Sequence, residues 1–144
     1  MIGVADGSAD YIVAQSIYSH TGENLFRRSV SAIARCLNLS GQALFTVVLP
    51  GDESSEIMPL GSETEGWLYP YCLAFTEPEV FDICQGCGLH IQRLPWFHPR
   101  QTWFRAVTNP AHLMNPSMLA ELGTGKPLFD ERFKGASPLR GGSI

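Results

Sequence analysis

The chain has 144 residues, of which 44% are hydrophobic and 17% are charged, so it can fill the core of one domain and is too apolar for a disordered protein. Its longest apolar runs, 43–50 and 67–75, are far shorter than the about 20 residues that a membrane-spanning helix needs. No Lys or Arg precedes Arg27, so the basic start of a secretory signal is missing, and we expect a cytoplasmic protein.

The net charge of -4 is unevenly distributed along the chain. Residues 36–92 hold eight acids and no base, whereas residues 93–144 hold seven bases and three acids. A nucleic-acid-binding protein needs a basic face on the fold itself, so we expect no nucleic-acid partner. The short apolar runs lead us to expect no membrane partner. The acidic block instead favours a basic protein partner. The alternative is that these acids are simply solvated in turns and at a helix start.

The N-terminal third predicts two helices. Residues 9–20 place Ile12, Val13 and Ile17 for one helical face, with Ser8 as a cap. Residues 25–39 form the clearest amphipathic pattern, because apolar residues recur at spacings of three and four from Phe26 onward. Gly41 suits the C-terminal end of that second helix.

The middle of the chain predicts a sheet. Residues 43–49 are apolar on both faces, which is typical of a central strand. Residues 56–60 can return as a short strand, and residues 67–75 alternate as a third strand despite Pro70. A capping box at Thr76 and Glu79 predicts a helix that ends near Gly86, and residues 89–94 alternate as another strand. Strands 67–75 and 89–94 should therefore be parallel across this helix.

The C-terminal part predicts short helices. Residues 96–106 have helical spacing, and residues 115–122 form a helix with Asn115 as cap and Pro116 at its first position. Residues 123–144 are rich in Gly and Pro and form a flexible or docked tail. The resulting expectation is a single α+β domain over 1–122: N-terminal helices, a mixed sheet of four or five strands with one strand-helix-strand crossover, and short C-terminal helices.

Two short motifs resemble a known family. The step Phe75-Thr76-Glu77-Pro78 into a helix and the turn Asn109-Pro110 are similar to the N-terminal domain of the enhanced serine sensitivity (SseB-type) bacterial proteins, over roughly residues 25–122. The resemblance implies an α+β domain of bacterial proteins without known catalytic residues. The segment before Asn109 departs from the family pattern, which has an apolar strand there.

A cysteine pair at Cys84 and Cys87 is the sharpest local pattern. With His90 and Cys72 it can form a Cys3His zinc site, although a second ligand pair is missing from the sequence. The alternative is that the thiols are buried and inert, which is common for cysteine. We favour the inert thiols and predict no cofactor.

The segment 96–103 has the composition of a binding surface, because rigid rings and a planar cation bury much area at low entropic cost. Helical packing of the two indoles on the sheet is the alternative. The predicted partner-binding residues are Trp96, His98, Arg100, Trp103, Glu77 and Glu79.

No catalytic constellation is present in the sequence. There is no G-x-S-x-G elbow, no H-E-x-x-H and no phosphate loop. We therefore expect a non-catalytic bacterial protein-interaction module of the immunity, adaptor or regulatory kind, with a homodimer as an option. Two alternatives stay open: a zinc-binding domain centred on Cys84, Cys87 and His90, and a small-molecule-binding domain that uses segment 96–103 or the rings of Trp67, Tyr69, Tyr71 and Trp96.

Overall fold

The computed structural model describes residues 3–52 and 65–124. Within these residues the chain forms a mixed α/β architecture, with one mixed four-stranded sheet and three α-helices. The elements are β1 (Ala9–Ala14), α1 (Glu23–Cys36), β2 (Leu37–Val47), α2 (Glu77–Gly86), β3 (His90–Arg93), β4 (Thr102–Val107) and α3 (Pro116–Thr124). The predicted strand 56–60 and most of the predicted tail lie outside the described residues.

The N-terminal unit is a strand, a helix and a parallel strand. β1 pairs parallel with β2, with Ala14 opposite Phe45, and α1 connects the two strands. The predicted helix over 9–20 is therefore wrong. The apolar run in residues 9–14 also alternates as a strand does, with Ile12 and Ala14 directed to the core and Tyr11 and Val13 exposed. The run therefore fits the spacing of a helix and that of a strand, and pairing with β2 makes it a strand. The second predicted helix is confirmed as α1, which buries Phe26, Val30, Ile33 and Cys36.

β2 is a central strand, as the apolar run 43–49 predicts. It pairs with β1 on one side and with β4 on the other, so the sheet order is β1-β2-β4-β3. Gly41 lies inside β2 and does not end α1, which is a second correction. The β1-β2 register is irregular between Ala9 and Tyr11, at the point where Gly41 approaches β1.

The second half of the sheet is antiparallel. β4 pairs antiparallel with β2 and with β3, and Arg105 lies opposite Leu44 on one side and Gln92 on the other. The predicted helix 96–106 is wrong, because Trp103 and Phe104 belong to a strand and point to opposite faces. The departure expected before Asn109 is therefore also wrong, because a strand lies there.

Residues 66–75, called segment 66–75 below, do not form the predicted third strand. The backbone N–H of Tyr71 donates to the carbonyl of Leu68 at 2.9 Å, which turns the chain. The segment forms isolated bridges, such as those at Trp67 and Ala74, and no continuous strand pairing. The predicted parallel pairing with residues 89–94 is therefore wrong as well. Within the described residues the parallel crossover is β1-α1-β2.

Local capping signals in the sequence are confirmed. Thr76 Oγ1 accepts from the Glu79 backbone N–H, and the Glu79 carboxylate accepts from the Thr76 backbone N–H at 2.6 Å, so α2 begins with a complete capping box. Asn115 Oδ1 accepts from the Met118 N–H at 2.9 Å at the start of α3. β3 falls within the predicted strand 89–94.

One face of the sheet carries the core. α1 and α2 cover this face. The rings of Phe45 and Phe104 stack there with their centroids 5.9 Å apart, and the centroids of Phe26 and Phe45 are 6.1 Å apart. Val80 and Ile83 of α2 complete the cluster. Burial of these apolar side chains is the main force that holds both helices on the sheet.

The opposite face is open beside β1. Tyr11 is 69% exposed and Val13 is 63% exposed, whereas segment 108–115 covers the β3-β4 side. Arg105 lies on this face with 8% of its surface exposed. Its guanidinium donates to Gln42 Oε1 at 2.6 Å and to the His112 carbonyl at 2.8 Å, and it forms no ion pair with another described residue.

Across residues 3–52 and 65–124, no helix is both long enough and apolar enough to cross a membrane.

Candidate functional site

The carboxyl end of β1 leads into a connection that carries an imidazole. In open α/β sheets, ligands bind outside the carboxyl ends of the parallel strands, so the connection from β1 to α1 is the first place to look for a site. A 3-10 turn at Tyr18–His20 occupies this connection. Tyr18 and Ser19 are buried there, and the half-buried His20 follows them.

Backbone hydrogen bonds fix segment 66–75 against this turn. The Leu68 N–H donates to the His20 carbonyl at 2.7 Å, and the Leu73 N–H donates to the Ser19 carbonyl at 2.9 Å. The Gly22 N–H donates in turn to the Gly66 carbonyl at 3.0 Å. The segment is therefore held along the whole length of the turn.

His20 is surrounded by groups of this segment. Its Nδ1 lies 2.9 Å from the carbonyl oxygen of Tyr71 and 3.8 Å from Cys72 Sγ. Its ring centroid lies 5.8 Å from that of Trp67 and 5.1 Å from that of Tyr69. We call His20, Trp67, Tyr69, Tyr71 and Cys72 the His20 cluster.

The bond to Tyr71 determines which nitrogen of His20 is free. A carbonyl oxygen only accepts, so Nδ1 carries the hydrogen in this bond, and the neutral ring keeps its lone pair on Nε2. Nε2 can therefore accept a hydrogen bond, or a proton, from a bound molecule. An imidazole held in this way is the usual arrangement of a general base.

Sequence reasoning missed His20 as a site residue. The predicted helix over 9–20 placed it at a helix end, where it is one of four histidines without a partner pattern. The signal that identifies it is its position between a strand and a helix of a parallel unit, which becomes visible only when residues 9–14 are assigned as a strand. The open alternative that used Trp67, Tyr69 and Tyr71 did name three of its neighbours.

A polar network lies at the same edge of the sheet. The Ser16 N–H donates to Thr46 Oγ1 at 2.8 Å, and the Thr46 hydroxyl donates to Gln101 Oε1 at 2.5 Å. Gln101 Nε2 returns a bond to Ser16 Oγ at 3.3 Å. Ser16 has a positive φ of 55°, which is uncommon outside glycine. The ring of bonds closes on itself, so its role is to fix the ends of β1 and β2.

The predicted segment 96–103 comes together only in part. The Trp103 ring lies edge-on to the rings of Trp96 and His98, with centroid distances of 5.8 Å and 6.3 Å. His98 Nδ1 accepts from the Arg100 N–H at 3.2 Å, and the Arg100 side chain is exposed. Burial lowers the pKa of His98, and the positive charge of Arg100 lowers it further, while Asp52 acts in the opposite direction.

Glu77 and Glu79 have structural roles at the start of α2. Glu79 closes the capping box, and Glu77 forms an ion pair with Arg93 at 3.1 Å. None of the contacts given for the described residues joins either acid to segment 96–103. The structure therefore does not unite the six predicted partner-binding residues.

The four zinc-ligand candidates do not form a metal site within the described residues. Cys84 is fully buried in α2, and burial raises the pKa of its thiol to about 12. Cys72 lies instead beside His20. Among residues 3–52 and 65–124, no group of three or more His, Cys, Asp or Glu side chains is arranged to hold a metal ion.

Comparison with known proteins adds a fold relationship. No protein-family model matches the sequence, and no curated protein matches it. The structure does resemble solved methyltransferases. An O-methyltransferase family 2 protein from Planctomyces limnophilus, solved in complex with apigenin, matches with a TM-score of 0.52 and 16% identity, over 71% of this chain and 31% of that one.

Two further structures are similar to the same extent. A Nostoc punctiforme protein assigned as an O-methyltransferase gives a TM-score of 0.51 at 16% identity, over 72% of this chain and 33% of that one. The CMeT domain of the citrinin polyketide synthase gives a TM-score of 0.50 at 18% identity, over 72% of this chain and 28% of that one. The chain thus spans about a third of the length of these proteins. At such identities the likeness shows the fold alone.

These matches overturn two expectations. The resemblance to SseB-type proteins is wrong, because the structural neighbours are methyltransferases; the motif at Thr76 reflects good helix capping, and Asn109 caps a 3-10 turn. The expectation of a non-catalytic interaction module of the immunity, adaptor or regulatory kind is contradicted by the same likeness.

Proposed function

We propose that the protein takes part in methyl transfer from S-adenosylmethionine, and that this chain supplies the acceptor side of the site. The observation that carries the proposal is the fold similarity to solved O-methyltransferases, which extends over 71–72% of this chain. His20 supports it, because this imidazole stands where such folds bind ligands and has a nitrogen lone pair free.

The described residues do not fit the methyl donor by themselves. Open α/β folds hold nucleoside cofactors with a glycine-rich turn directly after a strand, so that the backbone can approach the ligand closely. The connection from β1 to α1 contains one glycine, Gly22, and its N–H is already bonded to Gly66. Donor binding therefore requires groups outside residues 3–52 and 65–124.

The free edge of β1 is where such groups would join the sheet. A parallel sheet is normally covered on both faces, yet the face beside β1 exposes Tyr11 and Val13, and the outer edge of β1 faces no other strand within the described residues. A further parallel strand with its helix would cover this face. The donor side of the site would then lie beside the carboxyl end of β1, next to His20.

What this chain contributes chemically is confined to the acceptor. The Tyr71 carbonyl holds the His20 ring, and Nε2 accepts the proton of an acceptor hydroxyl. Two exposed rings, those of Trp67 and Tyr69, lie beside the imidazole where they can contact the acceptor and exclude water.

The experiment uses the protein in the form in which its host makes it, tagged at the genomic locus. Tritium from methyl-labelled S-adenosylmethionine is followed into a small-molecule extract of the host. We expect labelled product, and a rate at least about a hundredfold lower in His20→Asn, which is the usual scale of general-base catalysis.

A matched control distinguishes loss of the base from loss of the fold. His112→Asn changes an exposed histidine that is hydrogen-bonded through its backbone N–H and carbonyl, so this variant should keep the wild-type rate. Donor retention by both variants is measured in the same preparation by equilibrium dialysis. A protein that retains no labelled donor and labels no product would overturn the proposal, and equal rates in His20→Asn and wild type would remove His20 from it.

A further inference from the structure

Segment 66–75 exposes three large aromatic side chains on a fixed backbone. Trp67 is 56% exposed, Tyr69 is 66% exposed and Tyr71 is 55% exposed. Their backbone is nevertheless held against the 3-10 turn, and the neighbouring Leu68 is buried. Exposed apolar groups that are gathered on an ordered segment are typical of binding surfaces.

At the free nitrogen of His20 the hydrogen-bonding capacity is one-sided. With Nδ1–H donated to the Tyr71 carbonyl, the free nitrogen of His20 is an acceptor. A ligand that uses this position must donate a hydrogen bond. An alcohol or a phenol can do so, whereas an ether or a ketone cannot.

The groups around His20 indicate a flat and neutral ligand. Among the described residues, the imidazole contacts the rings of Trp67 and Tyr69, the Tyr71 carbonyl and the Cys72 thiol, and none of these groups is a charged side chain. Aromatic rings contact planar surfaces at little entropic cost. An ammonium ligand would also be attracted to the rings, but it would meet no carboxylate in these contacts.

We infer that the His20 cluster binds a neutral planar aromatic compound that carries a free hydroxyl group. The hydroxyl of the compound donates to His20 Nε2, and the rings of the compound lie against Trp67 and Tyr69. This inference rests on the proposed function and names the class of its methyl acceptor. It concerns binding only, so it is tested without any methyl donor.

The probe is 2-naphthol, titrated calorimetrically into the 144-residue chain at pH 7.5. Two matched compounds separate the contributions: 2-methoxynaphthalene keeps the rings and lacks the donor, and decahydro-2-naphthol keeps the hydroxyl and lacks the planar rings. We expect each to bind about three- to tenfold more weakly than 2-naphthol, which is the range of one hydrogen bond or one aromatic contact.

Variants assign the binding to this cluster. Trp67→Leu and Tyr69→Leu should each weaken binding of 2-naphthol about three- to tenfold. His20→Asn should remove the preference for 2-naphthol over 2-methoxynaphthalene. Trp96→Leu is the matched control, since Trp96 contacts Trp103 and should leave the affinity unchanged. If Trp67→Leu does not fold, Tyr69→Leu carries the test.

Three results would overturn the inference. They are equal binding of the planar and saturated alcohols, equal weakening by Trp67→Leu and Trp96→Leu, and tighter binding of the cation 2-(aminomethyl)naphthalene than of 2-naphthol. Failure of the methyl-transfer test leaves this titration untouched. Conversely, a methyltransferase that rejects 2-naphthol would remove the acceptor class and keep the proposed function.

Discussion

Gly41 in β2 lies so close to Ala9 in β1 that a side chain at position 41 has no room. A Cβ built on Gly41 would stand 2.6 Å from the Ala9 carbonyl oxygen and 3.2 Å from the Asn38 backbone N. Real Cβ atoms do not approach backbone oxygen so closely. The parallel pairing that places the 3-10 turn and His20 at the sheet edge therefore depends on a glycine at this position.

The first prediction follows from that contact. Gly41→Ala should lower the free energy of unfolding by about 1–3 kcal/mol, because the closest atom, the Ala9 carbonyl oxygen, belongs to the backbone and one strand must move. Urea unfolding followed by circular dichroism measures the change. Gly86→Ala is the control: nothing lies within 4 Å of a Cβ at the end of α2, so its stability should stay the same or rise by up to about 1 kcal/mol. Equal stability of both variants would contradict the prediction.

The same glycine shows why sequence reasoning found the wrong N-terminal element. Gly41 follows an amphipathic helix and was assigned to its C-terminal end, which is where glycine is common. Its real role is a contact with Ala9, 32 positions away, and no local pattern contains that information. The signals that are local, such as the α1 periodicity and the capping box of Thr76 and Glu79, were predicted correctly.

A short apolar run fits both a helix and a strand, and this ambiguity explains the two helices that were predicted in place of strands. Residues 9–14 and 102–107 are each six residues long, and at that length alternation and helical spacing cannot be separated. The helices predicted over 9–20 and 96–106 include these runs, apart from Val107, and both runs are strands because they pair with β2. Of the candidate site, the rings of Trp67, Tyr69 and Tyr71 could be named from the sequence, whereas His20 required the parallel pairing.

A second prediction concerns the helix start at Thr76. Thr76→Ala removes the acceptor for the Glu79 N–H and should destabilise the protein by about 1 kcal/mol, within the range of 0.5–2 kcal/mol for lost N-caps. Thr76→Ser keeps the hydroxyl and should remain close to wild type. Both are measured by urea unfolding. A loss in Thr76→Ser as large as in Thr76→Ala would show that the methyl group, and not the cap, is what matters.

A third prediction concerns the titration of His98. Burial first, and then the charge of Arg100, lower its pKa below the ordinary value of about 6.5, whereas Asp52 raises it. Arg100→Gln should therefore raise the pKa of His98, and Asp52→Asn should lower it further. NMR titration of the imidazole Cε1–H measures both shifts. Shifts in the opposite directions would contradict the assigned charges.

The lowered pKa also gives a pH dependence of stability with a definite sign. As the pH falls below about 6.5, the unfolded chain takes up the His98 proton before the folded chain does. The free energy of unfolding should therefore fall through this window, until the pH passes below the folded pKa. His98→Gln should lack this part of the decrease, whereas His112→Gln should retain it. Parallel curves for wild type and His98→Gln would contradict the linkage.

The last prediction concerns the reactivity of Cys84 and its fitness as a zinc ligand. With a pKa of about 12 caused first by burial, only about one thiol in 10⁵ is ionised at pH 7, and thiolate is the form that binds zinc or reacts with iodoacetamide. Mass spectrometry after iodoacetamide treatment at pH 8 should show Cys84 unmodified in the folded protein and fully modified in urea. The half-exposed Cys87 is the internal control and should react without denaturant. Modification of Cys84 at the rate of Cys87 would contradict the prediction and would mean that α2 opens at this position. If added zinc then protected Cys84 in buffer without urea, the zinc-binding alternative would have to be reconsidered.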